Sequence, residues 1–201
     1  MFSDSSLFRD VTFDEVFPEP AEVASHHRFV FNGFDFAADT HQTVCTLSET
    51  GREKLFTMAA GGSMTDIPAK IGDSMQELTD RYRMLTDPDG FEGGRLFSLE
   101  AASFRGVYLM TDDLSRDWEK SVVQGIRMDQ GCLWGLCIGE TLREDWIAVL
   151  GEPDGTAEID EEKADANRLE AGNCDYYRCG GYQLQLYSDG DGTLISIILT
   201  Q

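Results

Sequence analysis

Ile71-Gly72-Asp73-Ser74 and Ile138-Gly139-Glu140-Thr141 are near copies. Each opens an apolar-periodic stretch that runs into a proline turn, Asp87-Pro88-Asp89-Gly90 in the first case and Glu152-Pro153-Asp154-Gly155 in the second. Gly72 to Gly139 spans 67 residues and Pro88 to Pro153 spans 65. Two separate landmarks agree on one offset, which is the signature of a duplicated structural unit. In the first copy Ser74 is placed as a helix N-cap, with Glu77 three residues on to close a capping box. Met75, Leu78, Tyr82 and Leu85 then recur at helical spacing. In the second copy Thr141 takes the cap position and Glu144 closes the box. Leu142, Trp146, Val149 and Leu150 form the apolar face there, and Gly151 is the expected C-cap ahead of Pro153.

Each helix leads into three strand candidates: 95–101, 105–111 and 122–128, then 175–178, 182–187 and 194–199. Asp112 to Asp117 breaks the first set as a long hairpin loop, and Asp189-Gly190-Asp191-Gly192 turns the second. Residues 158–166 are charge-rich and read as a solvated loop or frayed turn. Upstream, residues 28–36 read as a hairpin about Asn32-Gly33, the dipeptide that tolerates positive φ. Residues 43–47 read as a further strand, and 54–60 are ambiguous between strand and helix. The expected fold is α+β: two tandem helix-plus-antiparallel-sheet units, 71–135 and 136–201, with a repeat of about 65 residues. An acidic arm (1–27) and a hairpin and strand segment (28–70) that lengthens the first sheet precede them. The two sheets are expected to join edge to edge, with the helices on the opposite side.

Thirty-seven Asp and Glu against 16 Lys and Arg leave a formal net charge of −21. Such a surface repels nucleic-acid phosphates and anionic lipid, so a macromolecular partner is expected to be a basic protein. No apolar run approaches the roughly 20 residues that span a bilayer. Met1-Phe2-Ser3-Asp4-Ser5-Ser6 carries no basic segment followed by an apolar one, so the chain as written is expected in the cytoplasm, and export would require a signal upstream.

Five cysteines, an odd number, argue against a complete disulfide framework. Cys132/Cys137 and Cys174/Cys179 are both Cys-x4-Cys, wider than the usual zinc knuckle. Free thiols are therefore expected, with a disulfide or a zinc site as alternatives. Gly72-Asp73-Ser74 has the look of an esterase nucleophile block. That chemistry needs a histidine to take the serine proton, but His26, His27 and His41 all lie far upstream in the sequence. Asp189-Gly190-Asp191-Gly192 begins like a calcium loop, but its twelfth position is Thr200 rather than glutamate. Adjacent His26 and His27 on a strand would point to opposite faces. No cofactor, metal or catalytic residue is expected.

The pattern Gly-(Asp/Glu)-(Ser/Thr) followed by Glu and Gly-x-Pro, over residues 71–201, resembles a superfamily of small α/β modules. It includes the tandem-repeat β-lactamase inhibitory protein and small lipoproteins of outer-membrane assembly. The run Gly181-Tyr182-Gln183-Leu184-Gln185-Leu186-Tyr187-Ser188-Asp189-Gly190 is also similar to uncharacterised proteins of gut Firmicutes. The resemblance implies a bacterial, non-catalytic protein-binding module, inhibitor- or immunity-like, that uses its sheet face. Aromatic residues on an open sheet face make good anchors, so Tyr108, Trp118, Tyr177 and Tyr182 are the candidates. The acidic loop residues Asp112, Asp113, Asp189 and Asp191 would steer the basic partner. The alternatives are a hydrolase with a carboxylate pair in a sheet cleft and a structural cell-envelope protein.

Overall fold

A computed structural model of the chain describes residues 27–31, 34–38, 47–64, 67–86, 90–99, 105–112 and 117–201. Most of the proposed N-terminal arm, His26, His41, the Asn32-Gly33 turn, most of the strand expected at 43–47, the Asp87-Pro88-Asp89 turn and Asp113 lie outside these residues.

An α+β architecture is built on eight antiparallel strands: β3 (Met84–Thr86), β4 (Arg95–Leu99), β5 (Val107–Thr111), β6 (Gly125–Met128), β9 (Gly155–Ile159), β10 (Gly172–Cys179), β11 (Tyr182–Asp189) and β12 (Leu194–Thr200). Their spatial order is β3-β4-β5-β6-β12-β11-β10-β9. Two meanders therefore join through their last strands, with Gly125 to Met128 opposite Thr200 to Ile197. The single sheet expected from edge-to-edge joining is present. Among the described residues the hairpin does not extend it: β1 (His27–Phe31) and β2 (Phe34–Ala38) pair with each other and with no strand of the main sheet. A smaller hairpin, β7 (Cys132–Leu133) with β8 (Leu136–Cys137), lies outside the main sheet. It turns on Trp134 (φ 51) and Gly135 (φ 93), the paired left-handed residues of a two-residue turn.

Helices α1 (Glu49–Ala60), α2 (Met75–Arg81) and α3 (Arg143–Leu150) cover one sheet face. Leu55, Met75 and Trp146 from the helices meet Phe97, Leu109, Ile126, Leu184, Ile197 and Leu199, all at most 1% exposed. Each such side chain contributes about 1.5–3 kcal/mol by leaving water. The ambiguous stretch 54–60 is helical. Ser48 caps it by accepting from the Gly51 N–H at 3.1 Å, and Gly51, Leu55 and Ala59 form a buried stripe at four-residue spacing. At its C-terminal end Gly62 (φ +69) lies directly under the Tyr182 ring, where a Cβ would fall 2.8 Å from a ring carbon. That close approach seats α1 on β11.

The two echoed phrases make matching hydrogen bonds. Gly72 N–H donates to Val123 O at 2.8 Å, Val123 N–H to Asp73 O, and Met75 N–H to Ser121 O. Gly139 N–H donates to Leu194 O at 2.7 Å, Leu194 N–H to Thr141 O, and Arg143 N–H to Gly192 O. The second contact falls on the residue directly after the glycine in the first copy and one residue later in the second, so Glu140 is an extra residue. It moves the helix start from Thr141 to Leu142. The Thr141–Glu144 box is accordingly not formed: the buried Thr141 hydroxyl accepts from Cys137 N–H at 2.8 Å, and Asp145 accepts from the Leu142 N–H. Ser74 does cap α2, accepting from Glu77 N–H, without a return bond from the Glu77 side chain. Leu85, counted on the helical face, lies instead in β3.

Two further elements depart from expectation. Residues 155–159 form edge strand β9, and 161–167 form helix α4 (Glu161–Asn167), where 158–166 was expected to be a solvated loop or frayed turn. Asp160 caps α4 through Lys163 N–H. Arg127 leaves β6 between Ile126 and Met128, so it points away from α1–α3. Its guanidinium, 3% exposed, donates to the Asn167 and Arg168 carbonyls at 2.6 and 2.9 Å, closing the carbonyl end of α4 with a positive charge. One helix thus lies on the face expected to be open.

Candidate binding surface

Asp175 is the one buried carboxylate among the described residues. Arg143, the first residue of α3, meets it with Nε at 2.7 Å and Nη2 at 2.8 Å; the Thr156 hydroxyl donates at 2.6 Å and the Trp146 indole at 3.2 Å. A buried charge persists only when paired and hydrogen-bonded, and this one has four donated bonds from three residues. The cluster ties α3 to β10 and β9.

Beside the cluster, α3 and the β11–β12 turn enclose an open groove of about 640 Å³, lined by Leu142, Arg143, Glu144, Ile147, Ala148, Asp191 and Gly192. Leu142 is 41% exposed, the most exposed large apolar side chain described, although its place in the sequence put it on the inward face. It also occupies an N-cap, where Ser, Thr, Asp or Asn would stabilise the helix by about 1 kcal/mol more. Glu144 and Asp191 are exposed on the groove's rim. Arg143 is committed to Asp175, so the charge that the rim offers a ligand is negative.

The structure separates the four aromatic anchor candidates. Tyr177 is 4% exposed in the core, with its hydroxyl donating to Gly151 O at 3.1 Å and Phe56 edge-on at 5.8 Å. Burial pushes its phenol well above the usual tyrosine range, so it remains a neutral donor. Trp118 stacks on Phe97 at 4.3 Å, and Tyr182 packs on Gly62; both are half-buried against the same core. Only Tyr108 lies on the other sheet face, against the small cluster of Leu96, Met110 and Ile198. The four therefore share no surface. Asp112 and Asp191 are exposed, whereas Asp189 accepts from Asp191 and Thr193 N–H at 3.0 and 2.8 Å and so organises its own turn.

The cysteine expectation also divides. Cys132 and Cys137, directly opposite on β7 and β8, form a disulfide, correcting the free-thiol reading. Cys174 and Cys179 are buried free thiols. They stand five apart on one strand and so point to opposite faces, which keeps them from sharing a bond or an ion. The four-thiolate zinc alternative does not form. Among the described residues no helix is long and apolar enough to cross a membrane.

Sequence reasoning missed the groove because it placed the helix one residue early. The available signal was Asp145, three residues after Leu142, which supports the later frame as well as Glu144 supports the earlier one.

No protein-family model and no curated protein matches the chain. Among solved structures, a DUF4309 family protein (YjgB) from Bacillus subtilis is similar over 76% of this chain and 97% of its own, at 13% identity and a TM-score of 0.49. A cysteine-rich secretory protein (SAV1118) from Staphylococcus aureus is similar over 65% of this chain and 44% of its own, at 12% identity and a TM-score of 0.36. Neither likeness assigns the chain a family or a role.

Proposed function

We propose that the chain is a non-catalytic binding module whose α3 groove takes an apolar side chain flanked by basic residues on a protein partner. The observation that carries this is Leu142: an exposed leucine at a helix cap costs stability twice, through the lost cap and the exposed apolar surface. A partner that covers it returns the apolar part of that free energy. The acidic rim and the net charge of −21 favour a basic partner and raise its association rate. The two helix-and-meander halves are read as copies of one unit, on the strength of their matching hydrogen bonds at Gly72 and Gly139. An inhibitor- or immunity-like role, as in the resembled inhibitory proteins, suits such a scaffold.

The test is a displayed-peptide selection against the native chain, counter-selected on Leu142→Ser. Enriched sequences should place Lys or Arg beside an apolar residue and bind the native chain at least about tenfold tighter than the variant, the loss expected for one buried anchor. Equal binding to both proteins, or no enrichment, removes the groove as the site.

A further inference from the structure

We propose that β9 is a docking edge, to which an extended basic peptide adds as a further strand of the sheet. β9 ends the strand order, and among the described residues no strand pairs with its outer side. A strand in that position presents a row of unpaired backbone N–H and C=O groups. Proteins commonly blunt such an edge with charged side chains, lysine above all, or with proline, a bulge or extreme shortness. β9 has no lysine, proline or bulge over Gly155-Thr156-Ala157-Glu158-Ile159; its one charge is the exposed Glu158, which opposes an acidic strand and favours a basic one, and its register with β10 is unbroken from Gly155↔Tyr176 to Ile159↔Gly172. The opposite edge, β3, is only three residues long. Thr156, Ala157 and Glu158 are exposed, and their small or flexible side chains let another backbone approach. The edge is also held ready, because the Thr156 hydroxyl is bonded to the buried Asp175.

Charge selects the occupant. Residues 152–162 contain Glu152, Asp154, Glu158, Asp160, Glu161 and Glu162, all exposed, and neither Lys nor Arg. A second copy would bring the same carboxylates against these, between two chains each carrying −21, so self-pairing is opposed. An extended peptide gains main-chain bonds from the edge and charge pairing from its alternate side chains. Its lysines belong on the side of Thr156 and Glu158, and small or β-branched residues on the side of Ala157. The edge and the groove stand independently, since one offers backbone and the other an apolar anchor point.

The probe is the heptapeptide acetyl-Thr-Lys-Thr-Lys-Thr-Lys-Thr-amide, which has no large apolar side chain to seat in the groove, titrated into the full chain while amide exchange is followed by NMR. Protection should appear at alternate amides within 155–159, and binding should weaken as salt rises. N-methylation of the peptide amides that face β9 should weaken binding about tenfold or more, whereas methylation of the alternate, outward amides should leave it unchanged. Leu142→Ser should bind the probe as the native chain does, which separates this result from failure of the groove. Equal binding by both methylated peptides, or protection elsewhere than β9, overturns the proposal. Protection of β9 in concentrated native protein at high salt without peptide also overturns it, making a second copy the occupant.

Discussion

Cys174 and Cys179 show how one strand gives two chemically similar groups separate surroundings. Cys179 lies in the main core, and Cys174 sits beside Tyr187 on the other face. Burial pushes both thiols from an ordinary 9.0 up to about 11. The unfolded chain therefore releases these protons first, and the folded state binds more protons between those two values. Stability is unaffected by this linkage below pH 9 and falls as pH rises from 9 towards 11. For Cys174 the loss is on the order of 2 kcal/mol, from about 1.4 kcal/mol per pKa unit. Urea titrations across that range should show Cys174→Ala losing less stability with pH than the native chain. Parallel curves would mean that the thiol ionises as easily folded as unfolded.

At the scale of elements, α3 offers the sharpest expectation. Leu142→Ser supplies a side-chain acceptor at the N-cap and removes exposed apolar surface. It should stabilise the protein by about 0.5–1 kcal/mol, or roughly 1–4 °C at this size. Calorimetry showing a lower Tm would mean that Leu142 packs usefully in the free protein. The same element marks where the sequence is legible. Ser74, with Met75 and Leu78 on its helical stripe, identified α2 because cap and periodicity agree. At Thr141 the cap pattern was intact, yet Glu140 added a residue and the hydroxyl went to Cys137. That outcome depends on a tertiary ladder invisible in local spacing. The core strands were legible from their apolar runs, whereas β9 was missed because its mostly exposed side chains give no apolar alternation, and β3 because Leu85 also fits the helical spacing of Met75, Leu78 and Tyr82. Helix α4 was missed because Glu161-Glu162-Lys163-Ala164-Asp165-Ala166-Asn167 has no apolar stripe; it is held by the Asp160 cap and by Arg127 from a distant strand. The burial of Tyr177 was hidden for a related reason. Sequence shows which residues are aromatic, but the face of each depends on register, and register placed Tyr177 inward.

Over the whole molecule, charge is the dominant stress. Thirty-seven acidic side chains against 16 basic ones repel one another in the folded state more than in an expanded chain. Raising sodium chloride from about 10 mM to 150 mM shortens the Debye length from about 30 to 8 Å. Relief of about 1–2 kcal/mol should then raise Tm by roughly 2–8 °C. A Tm that falls or stays level over that range would show that attractive pairs such as Arg143–Asp175 outweigh the repulsion.

The seam between β6 and β12 bears on how this chain comes off the ribosome. Ile126 faces Leu199 across it, so the middle of the sheet joins residues 69 to 75 apart in sequence. Contacts of such separation slow folding, because a long loop must close before they form. As synthesis proceeds, β6 is complete while residues 194–200 are still untranslated, and its inner edge waits with unpaired backbone. The nascent first meander is therefore most open to misassociation during that interval, and closure of the seam ends it.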